Sequence, residues 1–303
     1  MLQDIRAFFV AREVMEVETP SLARAATSEV HLASWAASAP GHEQAPYFLQ
    51  TSPELAMKRL LAAGSGDIYQ ICKVFRADEQ GRRHNPEFTL LEWYRLGFDL
   101  NALMEEVDAL LTGFLQASLQ GSAKHSTYQE IFLEYLQCDP LTASTNELIT
   151  CYQKHTDAAT PAQMAHDDWL DLMLSTLIEP RLPQDRLIFI HHYPASQASL
   201  AKLDAKDPRT AKRFEVFFNG LELANGFEEL IDASEQRRRM QQENKLRQQK
   251  GLPEVVIDER FLAALEAGLP ACSGVALGLD RLLMLITNKK HIDEVLAFSF
   301  ERV

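Results

Sequence analysis

A row of chemically active side chains occupies residues 68–95, IYQICKVFRADEQGRRHNPEFTLLEWYR. Because side chains alternate between the two faces of a β-strand, Phe88, Glu92 and Tyr94 lie on one face of the strand predicted over 87–95. That face presents an aromatic ring, a carboxylate and a phenol. A half-buried glutamate among apolar neighbours requires a cation or a hydrogen-bond donor. The alternative is an ordinary charged residue on a solvated sheet face.

An arginine ends the strand that precedes this one. Residues 68–77 are rich in β-branched and aromatic types and predict a strand, and the charged segment 78–86 contains Gly and Asn-Pro and predicts a loop. The two strands therefore form a hairpin with a long connection. Arg76 lies where the first strand ends, and a guanidinium there can bind a phosphate with two parallel hydrogen bonds. The alternative is a solvated arginine at a strand end.

Two more carboxylates occur in residues 212–232, KRFEVFFNGLELANGFEELID. The alternation predicts a strand, Asn219-Gly220 predicts a tight turn, and the segment after it predicts the returning strand. Glu215 and Glu222 then lie on paired strands. Two carboxylates that close repel each other unless a divalent cation binds both, and the alternative is a wet sheet face that carries both glutamates.

Two helix starts carry further candidates. Residues 271–287, ACSGVALGLDRLLMLIT, predict a glycine-punctuated strand that runs into an apolar helix. Gly278 permits close approach of a ligand, and Arg281 lies where backbone N–H groups and the helix dipole favour an anion. At the second helix start, Thr51 or Ser52 is predicted to cap a helix with Glu54 in its first turn. The Glu54 carboxylate there either interacts favourably with the helix dipole or faces a ligand.

Composition limits the class of protein. The chain has 303 residues, 46% of them hydrophobic and 24% charged, which is ordinary for a globular protein. No apolar run approaches the roughly 20 residues that span a bilayer, and the N-terminus lacks the features of a signal peptide. The net charge of −13 argues against a broad nucleic-acid surface. The spacing of the four cysteines predicts free thiols in a reducing cytoplasm rather than a zinc site.

The remaining predicted elements build the hydrophobic core and the helices around it. Residues 21–48 predict loops with a weak strand or two. A strand is predicted over 187–190, and the adjacent His191 and His192 that follow are expected to face opposite sides of it. Hydrophobic periodicity predicts a helix over 1–13, a strand over 14–19, and helices within 99–137, 139–180, 233–250 and 258–269.

Three of these segments together resemble a known family. REVMEVETP near the N-terminus, FRADEQGRRHNPEFTLLEWY and the segment 271–287 are similar to motifs 1, 2 and 3 of the class II aminoacyl-tRNA synthetases. ELANGFEEL closely resembles the signature of the lysyl-type members. Two positions depart from the family pattern: Asp78 stands where the family has Glu, with Glu79 next to it, and Ala276 stands where lysyl-tRNA synthetases commonly have Gly.

The resemblance implies roles for particular residues. It makes Arg76 and Arg281 catalytic, through the α-phosphate and γ-phosphate of ATP, and it makes Glu215 and Glu222 the ligands of Mg²⁺. For ATP binding it implies Arg76, Asp78, His84, Asn85, Phe88, Glu222, Leu223, Gly278 and Arg281. For the amino-acid substrate it implies Ser52, Glu54, Glu92, Tyr94, Asn225, Glu229 and Ala276.

The resemblance also implies a fold and partners. We expect an α+β fold, the class II synthetase-like antiparallel sheet flanked by helices, as one catalytic domain over residues 1–303 that forms a homodimer through motif 1. Because the chain opens almost directly on motif 1, we expect no anticodon-binding barrel. The EWYR and CSGVALG runs are similar to those of standalone family members that modify a protein. They imply lysine or (R)-β-lysine as substrate, a lysine side chain of elongation factor P as acceptor, and no stable tRNA binding.

Two alternatives stay open at this point. One is a truncated lysyl-tRNA synthetase that charges tRNA. The other is a catalytically inactive relative that acts as a regulatory binding module. The presence of both arginines and both metal-type glutamates argues against the second alternative, while Asp78 leaves room for it.

Overall fold

A computed structural model describes residues 1–41, 47–161 and 164–303. Within these ranges no helix is both long and apolar enough to cross a membrane. The chain divides into two compact units: unit 1 comprises Met1–Phe98 and Leu230–Val303, and unit 2 comprises Asp99–Glu229. The predicted single catalytic domain over the whole chain stays a prediction.

Unit 1 contains a mainly antiparallel set of strands with helices around it. Its elements in chain order are α1 (Leu2–Val10), β1 (Met15–Glu16), β2 (Leu22–Ala23), β3 (Ala36–Ala37), β4 (Tyr47–Leu49), α2 (Glu54–Ala62), β5 (Ile68–Phe75), β6 (Glu87–Leu96), α7 (Ala233–Gln249), α8 (Glu259–Gly268), β11 (Cys272–Gly278) and α9 (Leu279–Ile286). The neighbours in its larger sheet run β1-β5-β6-β11, and β2, β4 and β3 form a small separate sheet. The weak strands predicted within 21–48 are confirmed, although residues 42–46 of that prediction lie outside the described residues.

Register within this sheet fixes which side chains face each other. Strand β6 pairs antiparallel with β5, from Ile68 opposite Tyr94 to Phe75 opposite Glu87, which confirms the predicted hairpin. On its other side β6 pairs antiparallel with β11. Both edges of β6 are therefore paired, and its residues from Leu90 to Tyr94 are buried.

The start of helix α2 differs from the prediction, because its N-cap residue is Pro53 and no side chain caps it, so the predicted cap by Thr51 or Ser52 is wrong. The hydroxyl of Ser52 still accepts a hydrogen bond from the backbone N–H of Glu54, the first helical residue, at 3.0 Å. The inward face of the helix then packs Met57 and Leu61 into a core cluster with Tyr94 of β6. This hydrogen bond and the apolar packing along the helix fix α2 against β6.

Unit 2 has its own core. Its elements are α3 (Leu100–Leu115), β7 (Lys124–Thr127), α4 (Tyr128–Leu136), α5 (Thr145–His155), α6 (His166–Met173), β8 (Ile188–Pro194), β9 (Thr210–Phe218) and β10 (Leu221–Glu228). Its strands run β10-β9-β8-β7, with β7 parallel to β8 and the other pairs antiparallel. Aromatic and aliphatic side chains from α4, α5, α6 and β8 form the core. Residues 162–163 of the predicted helical stretch lie outside the described residues.

The β9–β10 hairpin matches the prediction closely. Asn219 and Gly220 both have positive φ, +51° and +67°, as a two-residue turn between twisted antiparallel strands requires. The register pairs Glu222 with Phe217 and Asn225 with Glu215, and it shifts at a bulge between Glu222 and Ala224. The hairpin therefore presents both candidate metal ligands on neighbouring strands.

One local prediction is wrong. His191 and His192 do not face opposite sides, because β8 has a register shift between His191 and Tyr193, and His192 takes a φ of +57°. A bulge of this kind interrupts the alternation of side chains. The two imidazole Nδ1 atoms come to within 2.6 Å of each other.

Other boundaries differ modestly from the prediction. The strand predicted over 14–19 is only Met15–Glu16, and the sequence reasoning missed β7 (Lys124–Thr127). In β7 two of four residues are hydroxyl-bearing and one is lysine, so hydrophobic alternation is absent. The predicted α+β fold with antiparallel strands flanked by helices is confirmed.

Candidate active site

The carboxylate of Glu92 lies at the centre of a hydrogen-bonded cluster in unit 1. Its side chain is buried, with 2% exposure. The hydroxyl of Ser52 donates to Glu92 Oε2 at 2.7 Å, and the phenol of Tyr94 donates to Oε1 at 2.7 Å. The predicted row of side chains on β6 is therefore a buried site rather than a solvated sheet face.

Burial perturbs the acidity of this group. Removal from water and, to a smaller extent, the neighbouring charge of Glu54 together raise the pKa of Glu92 from an ordinary value of 4.5 to about 7. The two hydroxyl donors and the ammonium of Lys58 oppose the shift. A carboxylate poised near neutral pH and surrounded by a few convergent polar groups is typical of a ligand site.

Strand β11 contributes the small residues beside this cluster. In the antiparallel register Ala276 lies opposite Glu92, and Gly274 lies opposite Tyr94. Directly paired residues of antiparallel strands point to the same face. The structure thus brings Ala276 next to Glu92, as expected for a residue of the amino-acid pocket.

A lysine that the sequence reasoning missed completes the cluster. Lys58 has 1% side-chain exposure, and its Nζ lies 2.6 Å from Glu54 Oε1. The sequence could have indicated this pair, because Glu54 and Lys58 are four residues apart and residues i and i+4 share a face of a helix. The unusual feature, a buried lysine, was not visible from the sequence.

Arg76 lies at the end of β5 with an aromatic ring beside it. Its guanidinium carbon is 5.0 Å from the ring centroid of Phe88, and its Nη1 is 3.0 Å from Glu79 Oε1. Asp78 is exposed. Of the two adjacent carboxylates that the sequence left undecided, Glu79 is the one that forms an ion pair with Arg76.

A second arginine lies at the start of α9. The Nη2 of Arg281 is 2.6 Å from the Nε2 of His84, which belongs to the loop between β5 and β6. The preceding Asp280 is buried and accepts a hydrogen bond from the backbone N–H of Thr89 at 2.6 Å. At Gly278, an added Cβ would meet nothing nearer than the Arg281 side chain at 3.9 Å, so the space beside this turn is open.

Asn85 has a structural role that the sequence reasoning missed. Its side-chain amide donates to the carbonyl of Glu87 at 2.6 Å, and its Oδ1 accepts from the backbone N–H of Phe300 at 3.0 Å. The loop is further tied to this part of the chain by a hydrogen bond from the backbone N–H of Ile292 to the carbonyl of Arg82 at 3.0 Å. The C-terminal segment therefore helps to fix the loop that carries His84.

In unit 2 the carboxylate of Glu215 is bound on both sides. The phenol of Tyr193 donates to Oε2 at 2.6 Å, and the guanidinium of Arg213 donates to Oε1. Burial raises the pKa of Glu215, the charge of Arg213 opposes the rise, and the charge of Glu222 adds to it. The last effect means that the two glutamates are close enough to interact.

These two carboxylates have the donor chemistry that a magnesium ion takes. Mg²⁺ prefers oxygen donors and commonly binds through one or two carboxylates plus substrate phosphates. Among the described residues no group of three or more His, Cys, Asp or Glu side chains is placed to hold a metal alone. The role of Glu215 and Glu222 as ligands of Mg²⁺ stays a prediction.

The remaining predicted residues of unit 2 lie along β10 and just beyond it. The Oδ1 of Asn225 accepts a hydrogen bond from Arg213 Nε at 3.3 Å. Leu223 and Glu229 are each 2% exposed, and the backbone of Glu229 bridges to Ala201. Arg213 thus links Glu215 and Asn225, a connection that the sequence reasoning missed.

Comparisons with known proteins point to one family. The model of the tRNA synthetases class II (D, K and N) matches residues 1–302. The chain is 50% identical over 307 residues to a protein of Vibrio cholerae named elongation factor P–(R)-β-lysine ligase, and the match covers 100% of this chain and 94% of that protein. Proteins of the same name from Pseudoalteromonas translucida, at 49% identity, and Histophilus somni, at 48%, match over 100% and 99% of this chain and 94% and 93% of their own lengths. The predicted resemblance is confirmed.

Glu92 provides a test of the buried cluster by pH. Because the folded protein holds the Glu92 proton up to about pH 7 and the unfolded chain releases it near 4.5, the folded state binds more protons in between. We expect the free energy of unfolding to fall as pH rises through this window, by on the order of 2 kcal/mol. Urea titrations across pH 4.5–7.5 should show a shallower fall for Glu92→Gln, whose amide does not ionise and can accept a hydrogen bond from one hydroxyl while it donates to the oxygen of the other. Equal slopes for the variant and the wild type would contradict the burial-induced shift.

Proposed function

The chain belongs to the class II tRNA synthetase family and is an ATP-dependent ligase, and on that premise we propose that it activates (R)-β-lysine, or lysine, as an adenylate and transfers it to a lysine side chain of elongation factor P. The observation that carries this proposal is the buried carboxylate cluster around Glu92. A diamino acid has two ammonium groups, and such groups are bound well by desolvated carboxylates whose other contacts are satisfied.

The pocket of unit 1 has the chemistry for one end of this substrate. Glu54 and Glu92 supply negative charge, while Ser52 and Tyr94 hold the Glu92 carboxylate through both of its oxygens. A fixed carboxylate loses little conformational entropy when the substrate binds. In unit 2 the roles of Asn225 and Glu229 in amino-acid binding stay predictions.

The arginines of unit 1 suit the nucleotide. In the proposed first step, an oxygen of the amino-acid carboxylate attacks the α-phosphorus of ATP, the bond to the bridging oxygen breaks, and pyrophosphate leaves. We assign to Arg76 the neutralisation of charge at the α-phosphate, and its neighbour Phe88 supports a stacking surface for adenine. We assign the γ-phosphate to Arg281 at the start of α9.

No protein nucleophile is required for this chemistry, because positioning and electrostatic stabilisation suffice. Mg²⁺ would be held by Glu215 and Glu222 and would supply positive charge to the phosphates. In the proposed second step, the deprotonated ε-amine of the acceptor lysine attacks the carbonyl carbon of the adenylate. An amide forms, and AMP leaves with the electrons of the broken C–O bond.

The charge of the chain favours a protein acceptor over tRNA. With 43 acidic and 30 basic residues, the chain lacks the surplus of cations on which phosphate-backbone binding depends. Helix α7 is the most basic stretch, but Arg237 pairs with Glu259, and both Arg238 and Arg239 pair with Glu235. We therefore expect no stable binding of tRNA.

A homodimer through motif 1 is part of the proposal. Leu2 and Val10 of α1 and Met15 of β1 are exposed apolar side chains at 42%, 71% and 49%. Their burial against a second copy would remove apolar surface from water. We place the enzyme in the cytoplasm, where a reducing environment suits its four free cysteines.

The phosphate-binding assignment is tested by removing its charges. We expect Arg281→Ala and Glu222→Gln each to lower amino-acid-dependent ATP–pyrophosphate exchange by on the order of 10²-fold or more, because each removes electrostatic stabilisation of the transferring group. Arg260→Ala and Glu266→Gln remove the same chemical groups from the exposed face of α8 and are the matched controls. Near-normal exchange by either site variant, with a wild-type thermal transition, would contradict the assignment.

Ala276 provides a test of substrate choice. Its methyl group stands opposite Glu92, and a difference of one methyl group in a pocket discriminates between substrates by roughly 1–3 kcal/mol. We expect Ala276→Gly to change the ratio of exchange rates with lysine and (R)-β-lysine. Ala263→Gly on the exposed face of α8 is the control. An unchanged ratio would mean that Ala276 does not set specificity.

The acceptor is tested by mass spectrometry. Elongation factor P is incubated with the enzyme, ATP and each lysine isomer, and we expect a mass increase of one lysyl group on a lysine side chain. Arg281→Ala serves as the inactive control. Parallel reactions with tRNA-Lys should give little stable aminoacylation. Efficient charging of tRNA with no mass shift would instead favour a truncated synthetase, and no exchange by the wild type would favour a regulatory module.

A further inference from the structure

Lys58 is a buried cation beside the apolar residues that α2 packs into the core. Met57, which precedes it, and Leu61, one turn further along the helix, are fully buried core residues, and Lys58 itself has 1% exposure. An ammonium in such a place is costly unless it is paired and hydrogen-bonded. An apolar residue of similar volume would fill the same space without that cost, so packing alone does not account for a lysine.

The partner of this cation is a residue of the proposed amino-acid pocket. Lys58 Nζ lies 2.6 Å from Glu54 Oε1, one helical turn away. The Glu54 side chain is 19% exposed. The carboxylate is therefore the end of the ion pair that a ligand can reach, while the ammonium lies behind it.

The ion pair is coupled to Glu92. The hydroxyl of Ser52 accepts from the backbone N–H of Glu54 and donates to the Glu92 carboxylate, so one side chain joins both acidic residues. The charges of Glu54 and Lys58 act on Glu92 in opposite directions. The cation thus offsets part of the repulsion between the Glu54 and Glu92 carboxylates.

We propose that Lys58 is a positioning residue for the amino-acid substrate, which holds the Glu54 carboxylate in a fixed orientation from behind so that its accessible side receives a substrate ammonium group. The inference rests on the proposed function, because it assigns the substrate of that reaction to this pocket. Lys58 acts through Glu54 and does not itself contact the substrate. A lysine with a purely structural role would contribute to stability and would have no selective effect on the amino acid.

The test separates the KM for the amino acid from the KM for ATP. We expect Lys58→Met to raise the KM for lysine and (R)-β-lysine in ATP–pyrophosphate exchange on the order of tenfold, the equivalent of one lost charge-assisted contact. The KM for ATP should change by less than about twofold, because Arg76 and Arg281 lie outside the ion pair. Arg59→Met removes the same charge from the exposed neighbouring position of α2 and should change neither constant.

A double variant shows whether Lys58 acts through Glu54. In the Glu54→Gln background, Lys58→Met should add little to the KM for the amino acid, since residues that act as a pair are not additive. If Lys58→Met does not accumulate as folded protein, Lys58→Gln retains a hydrogen bond to Glu54 without the charge and replaces it in the same measurements.

The outcomes are distinct. A selective rise in the KM for the amino acid that disappears without Glu54 supports the proposal. An unchanged KM, an equal rise in both KM values, or full additivity with Glu54→Gln overturns it. If the wild-type enzyme gives no exchange with either isomer, the proposed function itself is wrong, and the Lys58 proposal falls with it.

Discussion

The desolvated carboxylate of Glu92 is the constraint on which much of unit 1 depends. A glutamate in the centre of a sheet is tolerated only because Ser52 and Tyr94 each donate a hydrogen bond to it. The first donor requires the start of α2 to lie against β6, and the second requires the alternation of β6 to be uninterrupted. Ser52 also accepts a hydrogen bond from the backbone N–H of Glu54, the first residue of α2, so one side chain contacts both the start of the helix and the carboxylate.

Much of this arrangement could be predicted from the sequence, because it depends on short-range periodicities. The alternation in residues 87–95 placed Glu92 and Tyr94 on one face, and Asn219-Gly220 predicted the turn that sets Glu215 beside the returning strand. Helix starts were less uniform. Asp232 accepts a hydrogen bond from the backbone N–H of Glu235 and caps α7, whereas the cap predicted at Thr51 or Ser52 is absent from α2.

What the sequence did not reveal depends on contacts between distant segments or on local irregularity. The bond between Asn85 and the backbone of Phe300 joins positions 215 residues apart, and no local pattern predicts it. Burial of Lys58 depends on how α2 packs, and the pairing of Arg213 with Glu215 depends on which rotamers the interior permits. The prediction for His191 and His192 failed for a different reason. One residue with positive φ, His192, interrupts the alternation, so the side chains after it point to the opposite faces of the strand from those expected.

The tie between Asn85 and Phe300 has a consequence for how variants of this protein should be interpreted. The loop from Asp78 to Pro86 has little regular secondary structure. Part of its order comes from hydrogen bonds to a segment near residues 290–301. Substitutions in that segment would act on the proposed nucleotide site through the conformational entropy of the loop. A residue that is distant in sequence from the loop can therefore still affect function. If a substitution near residues 290–301 weakened ATP binding, the cause would be the loss of order in the loop.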